Sequence, residues 1–172
     1  KVLSLGGLLL ESLDLPSITH SYLRELSEAT GETTYVSILD GTEILYINKV
    51  ASMKGVQTNC SIGSRNYLHC TSMGKAILAF LPSDERETLL EKMGPLEAFT
   101  PNTITNLDDL RAELERTRQR GYAIDDIEGE ENVRCIGVPI FDHVGRSFAA
   151  ISLSEPAFRI SIERLHELYT VV

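Results

Sequence analysis

Apolar residues change their spacing several times along this chain, and each change marks an element. From Pro16 to Gly31 they recur at helical spacing, with Ile18, Tyr22, Leu26 and Ala29, joined by Leu23, on one predicted face. Pro16 suits a first helical turn and Gly31 a stop. In "ETTYVSILDGTEILYINKV" two β-rich runs flank Asp40-Gly41, a dipeptide that reaches positive φ at low cost, so a hairpin with a type I′ turn is predicted. A third strand is expected around Gly55 to Cys60. The apolar run after Thr71 predicts a helix from Ser72 to Phe80 that ends before Pro82, and Ser83 is placed to cap a second helix through Met93, closed by Gly94-Pro95.

A further helix is predicted from Asn106 to Arg120, with Thr105 and Asp108 as a capping-box-like start and Leu107, Leu110 and Leu114 as its stripe. Arg116, Arg118 and Arg120 lie near the negative end of that helix, where they complement its dipole; this reading is preferred to a nucleic-acid patch. "RCIGVPIFDHVGRSFAAISLS" reads as two strands joined at Asp142 to Gly145, and "SIERLHELYTVV" begins a terminal helix. Blocks of helices and antiparallel strands make the class α+β, with one central antiparallel sheet whose hairpins need helices on one face. The opening "KVLSLGGLLLESLDLP" carries Gly6-Gly7 and reads as a segment entering from something upstream, so the domain proper is taken from residue 15 to 172.

Composition narrows the function. The chain has 172 residues, 42% hydrophobic and 24% charged, which fits one globular domain. Three irregularly spaced cysteines and the absence of a signal-peptide order at the N-terminus point to a reducing cytoplasm. No apolar run is long enough for a membrane span. The formal charge of −9 argues against this chain itself meeting DNA phosphates, although one locally positive pocket could still take a small anion.

The densest chemistry lies in "NYLHCTSMGKAILAF". Gly74-Lys75 lacks the upstream glycine and following hydroxyl of a phosphate loop, because His69 and Ala76 stand there. Cys70 or Cys135 with His69 and Asp125 would be a nucleophilic set. Adjacent residues on an extended segment face opposite ways, however, and cysteine is commonly a buried hydrophobe. Histidines at 20, 69, 143 and 166 have no metal-ligand spacing, so no metal or cofactor is expected and His69 is read as a hydrogen-bonded structural residue. A helix mouth remains: if Thr71 caps it, the amides of Ser72, Met73 and Gly74 are free to hold an anion. Lys75 either pairs with a neighbouring carboxylate or supports that anion. Ser152 and Ser154, two apart on a strand, share one face; they are either surface groups or part of the same site.

These residues resemble the effector-binding domain of IclR-type bacterial transcriptional regulators. "GSRNYLHCTSMGKAILAFLP", "FTPNTITNLDDLRAELERTRQRGYAIDDIEGEENVRCIGVPIFDHVG" and "AAISLSEP" follow its ordered patterns over nearly the whole chain. The resemblance implies a GAF-like or profilin-like domain that binds a small organic or sugar acid. It also implies a winged helix-turn-helix upstream that reads DNA, residues 1–14 as the end of a linker, and assembly into homodimers or homotetramers. It assigns the pocket to Ser72, Met73, Asp125, Cys135, Ser152 and Ser154, with Thr58, Val56 and Val133 as a wall. Asp125 would orient ligand hydroxyls or serve as a structural cap. The chain departs from the family pattern at Tyr67, where proline is usual, at Gly137, where alanine is usual, and at Ile127, where an acid is common and Glu128 follows. The reading is a non-enzymatic ligand sensor; a cysteine-dependent GAF-like enzyme such as a reductase is the alternative.

Overall fold

The computed structural model describes residues 15–52 and 60–172. Helix α1 (Leu15–Thr30) precedes the hairpin β1 (Thr33–Asp40) and β2 (Glu43–Val50). A short strand β3 (Arg65–Tyr67) leads into helices α2 (Ser72–Phe80) and α3 (Ser83–Met93). Helix α4 (Leu107–Arg120), strands β4 (Ala123–Asp126), β5 (Val133–Phe141) and β6 (Ser147–Pro156), and helix α5 (Ile162–Leu168) complete the order. The six strands form one sheet in the order β3-β2-β1-β6-β5-β4, antiparallel throughout. The fold is therefore α+β, as expected. The strand predicted around Gly55 to Cys60 lies mostly outside the described residues, while β3 and β4 had not been predicted.

The sheet carries helices on both faces, not one. Paired residues share a face, so β1–β6–β5–β4 register places Tyr35, Ser152, Gly137 and Ala123 on one side and Thr34, Leu153, Ile136 and Ile124 on the other. Helices α2, α3 and α4 cover the first side, where Tyr35, Leu68, Met73, Ile77, Leu90, Leu110 and Leu114 form the larger core. Helix α5 covers the second with Leu165 and Leu168 against Ile124, Ile136 and Leu153. Helix α1 lies on that same side, where Thr34 Oγ1 donates to the Leu23 carbonyl at 3.0 Å and Asn48 Nδ2 to the Pro16 carbonyl at 2.7 Å.

Those polar anchors turn α1 away from its predicted orientation. Thr19, Leu23, Leu26 and Ser27 are buried, whereas Ile18, Tyr22 and Ala29 face outward. One turn and two helix caps also differ from expectation. The hairpin loop is Gly41-Thr42, with positive φ (64°) only at Gly41, the type II′ pattern and not type I′. Ser83 is the first helical residue of α3, whose N-cap Pro82 offers no side-chain bond. Asn106, one residue after the expected Thr105, caps α4 by accepting from the amides of Asp108 and Asp109. The arginines near the end of α4 are held by the fold: Arg116 and Arg120 pair with Glu113, and Arg118 donates to the Ala79 carbonyl.

Candidate functional site: the mouth of helix α2

Helix α2 begins where an extended Thr71 (φ −111°, ψ 143°) accepts the Gly74 amide on its Oγ1 at 3.1 Å. That bond uses one of the three amides expected to be free, so Gly74 offers none. No bond from the Ser72 or Met73 amide is found among the described residues, as the geometry of a first turn dictates. The mouth sits directly on the sheet because β5 has a glycine beneath it. A Cβ on Gly137 would lie 2.7 Å from the Ser72 carbonyl carbon and 2.9 Å from the Met73 nitrogen. Gly74 permits a second close crossing, against the Leu68 backbone.

Beside this contact is a cavity of about 40 Å³ lined by Ser72, Met73, Asp125, Val133, Cys135, Ser152 and Ser154. Seven of the nine residues assigned by resemblance thus meet in one hollow; Val56 and Thr58 lie outside the described residues. Tyr46, Cys60, Asn66, Thr71, Gly129 and Glu130 also line it and were not anticipated. The cavity exceeds the roughly 10–15 Å³ that a single water needs. Met73 does not obstruct it by standing across the mouth: its sulfur lies 3.2 Å from the Ser37 hydroxyl, which donates to it from the sheet.

Several polar groups in this hollow lack partners among the described residues. The hydroxyls of Ser72 and Ser152 make no hydrogen bond among the described residues, although both side chains are buried. Cys135 and Ser154 are paired with each other at 3.1 Å. Asp125 Oδ1 accepts from the amides of Glu128 (2.7 Å) and Gly129 (3.4 Å), so one of its oxygens caps the following loop. Burial pushes the Asp125 pKa up to about 7; Glu128 adds to the rise, while the charge of Lys75 opposes it.

Lys75 is fully buried and pairs with Glu128 Oε1, which resolves the two readings left open for it. It is a structural cation and not a ligand contact. Glu128 reaches it because Ile127 takes a positive φ (59°), which breaks the strand alternation that would otherwise turn Glu128 outward. Thr100 Oγ1 and Thr103 Oγ1 hold this turn, donating to the carbonyls of Ile127 (2.5 Å) and Glu128 (2.6 Å).

The arrangement is poor for nucleophilic chemistry. Burial raises the Cys70 thiol to about 12 and the Cys135 thiol well above its ordinary value, so neither is a thiolate near neutrality. His69 does not face either sulfur as a base; its Nε2 lies 2.9 Å from the Glu97 carbonyl, and burial lowers its pKa. Among the described residues no group of three or more acidic, histidine or cysteine side chains is placed to hold a metal ion. No described helix is long and apolar enough to cross a membrane.

Comparison with known proteins shows the family. Residues 8–172 match the family described as bacterial transcriptional regulator IclR C-terminal. The chain is 40% identical over 167 residues to the HTH-type transcriptional regulator KdgR of Escherichia coli, covering 97% of this chain and 63% of that regulator. It therefore spans somewhat under two thirds of that relative. Among solved structures it is similar to the Thermotoga maritima IclR (TM-score 0.88, 38% identity, 99% of this chain and 68% of that one). It is also similar to the inducer-binding domain of a PobR double mutant from Acinetobacter, solved with 3-hydroxybenzoic acid (TM-score 0.79, 26% identity, 91% of each chain). The chain belongs to the IclR family of bacterial transcriptional regulators, of which it is a C-terminal domain.

Proposed function

We propose that this domain senses a short organic acid, which binds with its carboxylate at the Ser72 and Met73 amides. The observation that carries the reading is the convergence on one small cavity of groups without a partner among the described residues, the hydroxyls of Ser72 and Ser152 and the first amides of α2. Ser154 and Asp125 read the remaining polar atoms of the ligand. The PobR relative held with a hydroxybenzoic acid supports an acid as the ligand class. The ligand's preference between two arrangements of an assembled dimer or tetramer then changes DNA binding by a part of the regulator upstream of this chain. The outward-facing Ile18 and Tyr22 of α1, 48% and 63% exposed, favour such assembly.

Replacing Ser72 by proline tests the anion site. Proline is favoured in the first helical position, where it removes the amide together with the Ser72 hydroxyl, so Ser72→Ala, which removes the hydroxyl alone, is measured beside it. A panel of short acids raises the melting temperature of the wild-type domain at millimolar concentration, and the shift disappears in Ser72→Pro. Equal shifts in both proteins would reject the helix mouth as the carboxylate site. The enzyme alternative needs a reactive thiol. Alkylation of Cys70 and Cys135 that is slow and accelerates only above pH 9 removes it.

A further inference from the structure

The wall of the cavity opposite helix α2 carries a second polar element that the family pattern does not supply. Tyr46 projects from β2 and is 5% exposed, and its phenolic oxygen accepts two hydrogen bonds. Cys60 Sγ donates at 3.3 Å and Asn66 Nδ2 at 3.4 Å. Asn66 is itself oriented, because its Oδ1 takes the Tyr67 amide at 2.8 Å. A phenol has one hydrogen to give, and with both acceptor positions of Tyr46 occupied that hydrogen is directed away from Cys60 and Asn66. No acceptor among the described residues receives it, and Tyr46, Cys60 and Asn66 all line the cavity. Burial raises the Tyr46 and Cys60 pKa values, so both groups keep their protons.

Tyr46 faces the cavity because of a register shift. It pairs with Ser37, on the α2 side of the sheet, while Asn48, two residues on, pairs with Val36 and points to α1. The irregularity between Val36 and Ser37 admits one extra β2 residue and swaps the side on which later residues fall. The sheet thereby commits a large hydroxylated ring to the cavity that simple alternation would have sent with Asn48.

We propose that Tyr46, fixed by Cys60 and Asn66, donates its phenolic hydrogen to a second oxygen on the bound acid. The ligand class is then a short hydroxy-, keto- or dicarboxylic acid, in preference to an alkanoic acid. This rests on the carboxylate site proposed above. A buried donor left without an acceptor is costly, so an acid lacking the second oxygen is rejected.

The test uses three-carbon probes matched in size: propionate against lactate, pyruvate, 3-hydroxypropionate and malonate, titrated into the domain by calorimetry. Wild type binds at least one oxygenated acid about tenfold or more tightly than propionate, and Tyr46→Phe reduces that ratio toward one, because the oxygenated acid loses a donor and propionate no longer leaves one unpaired. Should Tyr46→Phe not fold, Asn66→Ala carries the test, since it releases the phenol and lowers the same ratio. An undiminished ratio in a folded Tyr46→Phe, or in Asn66→Ala where that is the variant read, overturns the role of Tyr46 and leaves the carboxylate site standing. Failure of every oxygenated acid to bind wild type overturns both.

Discussion

The two faces of the β4–β5–β6 half of the sheet are built from alternate residues of the same strands, yet they do different work. Ile124, Ile136 and Leu153 turn to α5 and form a dry cluster with Leu165 and Leu168. Asp125, Cys135, Ser152 and Ser154 turn to α2 and line the cavity. The first face gains stability by burying apolar area. The second gives some of that up, since each hydroxyl or amide there without a partner among the described residues costs desolvation that the proposed ligand would return. A sheet with period two lets one stretch of chain serve both ends without mixing them.

Removing the charge that steadies the polar face is expected to have the largest effect. Lys75→Met strands the Glu128 carboxylate in the interior and costs about 3–5 kcal/mol at pH 7, which Glu128→Leu in the same chain largely restores. Urea unfolding of the single and double variants measures this, and a loss below about 1 kcal/mol for the single variant would show that the pair is not buried in solution.

Next is the pH response of Asp125. Its folded pKa of about 7 lies above the unfolded value near 3.8, so the folded state keeps a proton that the unfolded chain releases between those pH values. Its contribution to stability is therefore greatest below pH 4, falls as pH rises, and levels off above 7, with a span of up to about 4 kcal/mol. Asp125→Asn removes this slope while retaining an acceptor for the Glu128 amide, making the variant more stable than wild type at pH 8 and about equal at pH 4. Unfolding curves at the two pH values that stay parallel would refute it.

The apolar face answers differently. Ile136→Ala costs about 3 kcal/mol with ligand affinity per folded molecule unchanged, whereas Ser152→Ala shifts stability by about 1 kcal/mol or less and weakens binding. Calorimetry paired with chemical denaturation separates the two; a binding defect in Ile136→Ala would mean that the faces are coupled. The smallest effect is expected at Ile127, a β-branched residue at φ 59°. Ile127→Gly relieves about 1 kcal/mol or more of backbone strain and loses a similar amount of partial burial, for a net change within about 1 kcal/mol.

Much of this was legible before any coordinates. The capping Thr71 and the apolar run after it placed α2, and the spacing of Ser152 and Ser154 put them on one face, because capping and strand alternation are local rules; that this face belongs to a pocket came from the family resemblance. Helix α1 was located but turned wrongly: apolar count favoured Ile18 and Tyr22 inward, while Thr19 and Asn48 bond beneath the helix. Tyr46 gave no signal at all, since nothing in "ILYINKV" announces where a register shift will fall.

Taken alone, the sequence determined most of the elements and the α+β class, since these depend on order and short-range spacing, while its resemblance to a family supplied most of the residues around the helix mouth. Tertiary structure decided that Lys75 belongs to Glu128, that Gly74 is already capped, that Gly137 seats the helix on the sheet, and that Tyr46 faces the cavity. Each of those depends on which distant backbone comes near, and a one-residue change of register or one positive φ reverses the answer.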